Sequence, residues 1–207
     1  MMVTPLPEDA GPALGIRLLR DVNRHWMQIV ALHEGIPGHH LQYSAASRSS
    51  SPVRQWGYTA THVEGWALYA EEQMHRVGFY RDPLTRLTQL RMRLWRAARL
   101  RIDPALHTAD LSPAAAVELL EEEVLLAPAN AAREVARYLH RPTYPSTYVL
   151  GWLQLEALRR DAQARGAGGS WDERAFHDAF LALGPIPVSL ARAVLLEERD
   201  AYDEAHP

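Results

Sequence analysis

The octet His33-Glu34-Gly35-Ile36-Pro37-Gly38-His39-His40 places a candidate general base beside several candidate metal ligands. In a compact HExxH helix, two histidines four residues apart hold one zinc ion, and the glutamate between them faces its water. Here the fourth position after His33 is Pro37, which has no donor for a metal, so the compact form is absent. On an unbroken helix His39 would lie roughly 9 Å beyond His33 and about 240° around the axis, while His40 would share its face roughly 10.5 Å away. Neither spacing suits one ion. Gly35 and the Pro37-Gly38 pair change that geometry, because glycine accepts unusual dihedrals and proline has no amide to donate. A bulge or turn there brings either His39 or His40 back toward His33. Glu34 reads as a base rather than a ligand, and Glu64 would complete a His-His-Glu set.

The chain has no cysteine, so thiolate ligands and disulfides are excluded and any transition metal rests on histidine and carboxylate. Its 207 residues, 47% of them hydrophobic, suffice for one sizeable core. The formal charge of -3 comes from mixed acidic and basic residues rather than a tail, which argues against nucleic acid as a partner. No run of about 18 uncharged apolar residues occurs, so no integral membrane contact is expected. Met1-Met2-Val3-Thr4-Pro5 lacks the basic start and apolar core of an export signal, which predicts a cytoplasmic protein if the chain begins natively there.

Helices must position these residues. Residues 1–15, rich in proline and glycine, read as an irregular lead-in, residues 16–200 as one helical domain and 201–207 as a tail. Val22, Trp26, Ile29, Val30 and His33 recur at steps of three and four and predict a helix that ends near Glu34. A second helix resumes around His39 and leads to a linker at Ser47–Pro52. Tyr58–Val77 predicts a helix with an apolar side of Val63, Trp66, Ala67, Ala70, Met74 and Val77. Glu64 and Glu71 share another side of it, about 10 Å apart along the axis, so only one is expected to reach a given metal.

Leu84–Ile102 reads as a basic amphipathic helix whose apolar side is Leu87, Leu90, Leu94 and Ala98, closed or redirected by Pro104. Its arginines Arg91, Arg93, Arg96, Arg99 and Arg101 are expected on a largely solvated or salt-bridged face. Ser112-Pro113 caps a helix through Leu126. Further helices are expected at Ala129–Leu139, Tyr148–Arg165, Glu173–Leu183 and Val188–Glu198. No segment has a convincing period of two, so the fold class is all-α with one main core and no internal repeat.

The octet with Leu41-Gln42, the block Glu64-Gly65-Trp66-Ala67-Leu68-Tyr69-Ala70-Glu71, the run Arg96 to Asp103 with His107, and Tyr148-Val149-Leu150-Gly151 together resemble the bacterial family DUF885. That family looks like a relative of helical gluzincin zinc metallopeptidases. The resemblance, through a pattern similar to HExxPGH, implies His33, His39 and Glu64 as Zn²⁺ ligands, with His40 as the alternative second histidine. It implies Glu34 as general base and Glu71 as a carboxylate that orients a ligand or the water. It implies a gluzincin-like fold present in part, since family members are commonly longer and this chain looks like their C-terminal catalytic portion, with an N-terminal domain missing.

A peptide or small amide is the expected substrate, with Glu34 relaying a proton from water to the departing amine. Tyr148, aligned with the family's Pro142, Tyr148 and Gly151 pattern, is the leading donor to the oxygen that gains charge, and Tyr144 is the alternative. His107 is a further candidate donor, its tautomer set by Asp103. Arg96 and Arg99 are candidates for gripping a peptide carboxylate. His177, in Phe176-His177-Asp178, is expected to pack or to line a substrate wall. The runner-up function is a noncatalytic metal-binding or peptide-binding module derived from such a peptidase.

Overall fold

The computed structural model describes residues 22–166 and 171–196, together with Gly11 and Ile16. Ten α-helices are described: α1 (Arg24–Glu34), α2 (His39–Ala46), α3 (Pro52–Trp56), α4 (Ala60–Arg76), α5 (Pro83–His107), α6 (Pro113–Glu122), α7 (Pro128–His140), α8 (Thr147–Arg165), α9 (Glu173–Ala182) and α10 (Val188–Leu195). A 3₁₀ turn, Tyr144–Ser146, precedes α8. Among the described residues there is no strand, and the fold is a single all-α domain. Apart from Gly11, the expected lead-in lies outside the described residues, as do the tail, positions 167–170 of the glycine-rich break and the last helix beyond residue 196.

Local chemistry sets the helix starts. The side chains of Asn23, Asp82, Ser112 and Asp172 accept amide hydrogens of the first turns of α1, α5, α6 and α9, and Pro83, Pro113 and Pro128 open helices where an amide is dispensable. The short α3 after the Ser47–Pro52 linker was not anticipated. α6 ends at Glu122 rather than Leu126, and the chain passes through Leu125 with φ 59° while Val124 and Leu126 stay buried. Pro104 does not close α5, which runs on to His107: its own amide is missing, and its carbonyl still accepts the Thr108 amide at 3.0 Å.

α4 is the axis of the domain. Every residue from His62 to Glu71 is buried, so the helix is enclosed on all sides rather than on the predicted apolar side alone, and Val77 at its end is 75% exposed. Its closest neighbour is α8, and the two backbones touch at Gly65 and Gly151. A Cβ on Gly65 would lie 2.4 Å from the Gly151 carbonyl carbon, and one on Gly151 would lie 1.8 Å from the Thr61 oxygen. Glycine is required there by space. Trp66 and Tyr69 join Leu155, Leu158, Phe176 and Phe180 in one core; a separate cluster forms where Ala98 and Ile102 of α5 pack with Leu119, Leu120, Val135 and Tyr138.

α5 differs most from expectation. Leu87, Leu90 and Leu94 face outward, and the buried positions are Thr85, Gln89, Met92, Arg96, Ala98, Arg99, Ile102 and Asp103. Salt bridges replace the expected apolar contact: Arg93 pairs with Glu72, Arg96 with Glu71, Arg99 with Glu134 and Arg101 with Glu123. The salt-bridged reading of the run therefore holds, while the solvated reading fails for Arg96 and Arg99.

Candidate metal centre

The turn between α1 and α2 closes the distance that a regular helix leaves open. The Gly35 amide still bonds to the Ala31 carbonyl at 2.9 Å, but the Gly38 amide reaches back to the Leu32 carbonyl at 3.0 Å, enclosing the extra residues in a wide loop. The Ile36–Pro37 peptide is cis, and the Trp66 indole donates to the Pro37 carbonyl at 2.9 Å, pinning the loop to α4. Gly38 passes so close to α1 that a Cβ would lie 1.9 Å from the His33 oxygen. The chain consequently doubles back, and the His33 and His39 rings stand 4.8 Å apart at 88°.

Each histidine is held through one nitrogen. His33 Nδ1 lies 2.8 Å from Glu71 Oε1, a contact that turns Nε2 toward the centre. His39 Nδ1 faces Gln42 Oε1 at a longer 3.4 Å. The two Nε2 atoms turn toward Glu64 Oε2, at 4.0 Å from His33 and 3.6 Å from His39. Ligands bound at about 2.1 Å in a tetrahedron stand about 3.4 Å from one another, so these separations suit one shared ion after slight contraction. Donor atoms of His33, Glu34 and His39 also lie within 4.8 Å of one another. The histidine pair thus has two carboxylates at hand, Glu64 buried and Glu34 exposed.

Electrostatics agree with a cation-seeking pocket. Burial disfavours a charged His39, but the adjacent Glu64 carboxylate outweighs it and raises the imidazole above its ordinary range. Burial likewise disfavours a charged Glu64, yet hydrogen bonds with His39 and Tyr144 and the charges of both histidines hold it below the usual carboxylate range. The Glu64 carboxylate that favours a proton on His39 would also attract a cation, which would have to displace that proton.

The 3₁₀ turn delivers a hydroxyl to this centre. Tyr144 donates to Glu64 Oε1 and lies 3.2 Å from the Tyr58 hydroxyl. Burial, then the bonds to Glu64 and Tyr58, push its phenol well above the ordinary value. Asp103 anchors the turn, accepting the Thr143 amide at 3.1 Å and the Ser146 hydroxyl at 2.7 Å, with Thr143 in a left-handed conformation at φ 71°. Tyr148, the leading donor by sequence, instead packs its ring under the Arg99 guanidinium at 4.9 Å. The structure thus puts the alternative, Tyr144, at the carboxylate.

Other expected site residues lie elsewhere. His40 is exposed, and the grouping of donor atoms within 4.8 Å holds His33, Glu34 and His39 but neither His40 nor Glu64. His107 addresses Asp103 at 3.7 Å and the Tyr138 carbonyl at 3.4 Å, while the Asp103 carboxylate accepts its hydrogen bonds from the turn. Arg96 is buried 3.7 Å from Glu71, and burial lowers its guanidinium even against that carboxylate. Arg99 bonds Glu134 at 3.0 Å and the Tyr138 hydroxyl at 3.2 Å. Neither arginine is presented for a substrate carboxylate. His177 packs against Tyr69, Nε2 to hydroxyl 2.7 Å.

Gln42, Tyr43 and Tyr58 were not singled out from the sequence. Gln42 had a findable signal, standing three residues after His39 on the same helix face. Tyr43 is 45% exposed with its ring 6.2 Å from that of His39. Tyr58 is brought in by Tyr144 across 86 positions of chain, for which local spacing gives no sign.

Two solved structures resemble this fold. A candidate lipoprotein of unknown function from Shewanella oneidensis is 28% identical with a TM-score of 0.84, covering 94% of this chain and 35% of its own. A candidate lipoprotein from Colwellia psychrerythraea is 29% identical with a TM-score of 0.80, covering 86% of this chain and 31% of its own. The chain spans about a third of the length of either. No curated protein matches. Both relatives being described as lipoproteins overturns the cytoplasmic expectation, and no helix among the described residues is long and apolar enough to cross a membrane. A family model for bacterial proteins of unknown function matches residues 13–195, and the chain belongs to that family, DUF885.

Proposed function

We propose that this domain is a metal-binding module that holds a zinc-type divalent ion with His33, His39 and Glu64. The observation that carries this reading is the convergence of both Nε2 atoms on one buried carboxylate oxygen, at 3.6 and 4.0 Å. The donor set is nitrogen and oxygen only, as zinc accepts, and Glu71 holds His33 through Nδ1 as outer partners of zinc-bound histidines do. The lipoprotein descriptions of the relatives support a setting at a membrane surface.

A second reading, hydrolysis of a peptide or small amide by a gluzincin-like centre, is favoured by the exposed Glu34 beside the histidine pair. A bound zinc ion would supply Lewis acidity, lowering the pKa of a water and polarising a carbonyl. Glu34 takes the proton from the attacking water and returns it to the departing amine. Tyr144, whose hydroxyl already stands at Glu64, donates to the carbonyl oxygen as it gains charge.

Zinc content of the purified chain after metal-free preparation and reloading tests the first reading. One ion per chain is expected, lost in His39→Ala and Glu64→Gln; substoichiometric metal in the wild type would overturn it. The second reading is tested by profiling a mixed peptide library with wild type and Glu34→Gln. The variant should keep its zinc and lose at least about a hundredfold in cleavage rate. Zinc retention with no cleavage by either protein leaves the binding module alone standing.

A further inference from the structure

α5 turns an apolar line to the outside. Leu84, Leu87, Leu90 and Leu94 are 55%, 62%, 40% and 47% exposed, and Ala97 continues the line. From Leu87 to Ala97 the steps are three, four and three, the spacing with which one helix packs lengthwise against another. Beside the line runs a groove of about 460 Å³, lined by Leu87, Leu90, Leu94, Val124 and Leu125 and edged by the polar Asn23, Thr88, Arg91 and Glu123. Leu125 is 63% exposed in a left-handed conformation that a leucine rarely adopts. Single exposed leucines need no explanation, whereas a contiguous line flanked by a groove marks an interaction surface.

We propose that two copies of this chain associate through this face, α5 against α5 about a twofold axis near Leu90. The five exposed leucines present on the order of 500 Å² per copy, so pairing removes roughly 1,000 Å², the lower bound for a specific interface. An isologous arrangement sets each leucine line on its own counterpart and opposes the two helix dipoles. Two guanidinium groups share this face and both are held within the chain: Arg91, between Leu87 and Leu94, donates to the Leu125 carbonyl at 3.3 Å, and Arg101 pairs with Glu123 at 3.1 Å. The net charge of -3 gives two copies little mutual repulsion. Arg96, about 200° around the helix from Leu94, points inward to Glu71, so pairing leaves the metal centre open.

The mass of the full chain in solution, measured by light scattering and sedimentation from low to high micromolar concentration, tests this. The expected result is a two-chain species that dissociates on dilution, and a one-chain species for Leu87→Glu/Leu94→Glu with an unchanged helical circular dichroism spectrum. Because the chain has no cysteine, Leu90→Cys provides a second readout: oxidation should link two chains, whereas Arg174→Cys, on a well exposed side chain of α9, should not. A one-chain mass throughout the range would overturn the proposal and leave the face to some other partner, such as the additional chain of the longer relatives. A two-chain mass that Leu87→Glu/Leu94→Glu leaves intact, or equal linking of both cysteine variants, would overturn it as well.

Discussion

His62 shows how strongly a single side chain is bound to this interior. It is stacked on Phe180 at 4.4 Å and donates through Nδ1 to the Ile186 carbonyl at 2.8 Å. Burial lowers its pKa from 6.5 to about 4, so between those values the unfolded chain holds a proton that the fold refuses. Its contribution to stability is fully present above pH 6.5 and is lost as pH falls to about 4, on the order of 3 kcal/mol. Urea unfolding of the metal-free chain at pH 7 and 4.5 should show this loss, and His62→Gln should flatten it. At this scale the sequence names His33, Glu34, His39 and Glu64, which the structure brings near one another, and it ranks Tyr148 above Tyr144, whose hydroxyl is the one at Glu64. The choice rested on a helix start, whereas the hydroxyl is placed by Asp103, some forty residues earlier, gripping the turn.

At the scale of elements, caps and periodicity located most helices because they are local properties of the chain. Which face of a helix turns inward is not local. For α5 the leucine line marked an apolar side, yet the interior side is polar because Glu71 and Glu134, on α4 and α7, meet Arg96 and Arg99. Hydropathy registers the leucines and has no term for a partner on another helix. The α4–α8 contact was equally invisible, since Gly65 and Gly151 look like ordinary helix-weakening glycines until their backbones are found touching. Gly151→Ala should cost about 3 kcal/mol or more, because its methyl meets the α4 backbone rather than a side chain that can move aside. Urea midpoints would measure this, with zinc affinity expected to fall in parallel as α4 carries Glu64 away from the histidines.

For the whole molecule, the proposed site would couple metal to fold, since its candidate ligands come from α1, α2 and α4 and no unfolded chain gathers them. Free zinc at a hundred times its dissociation constant should stabilise the chain by about 2.7 kcal/mol, read as an upward shift in the thermal midpoint that a chelator reverses. His39→Ala should show no such shift. The all-α class was legible because periods of three and four run through nearly the whole chain. The outward leucine line was not, because nothing in one chain's hydropathy separates a face covered within the chain from one left open.

The enclosure of α4 has a kinetic corollary. A helix buried on every side from His62 to Glu71 has no route by which solvent reaches its amides short of opening the domain. Hydrogen exchange at Trp66 to Glu71 should therefore run at the rate set by global unfolding, while Pro52–Trp56, a five-residue helix with no buried residue, exchanges by fraying. Fast exchange within Trp66 to Glu71 under native conditions would contradict this. Glu64 and Glu71 thus sit in the last part of the protein to come apart, so a ligand lost by local motion should be His39 rather than Glu64.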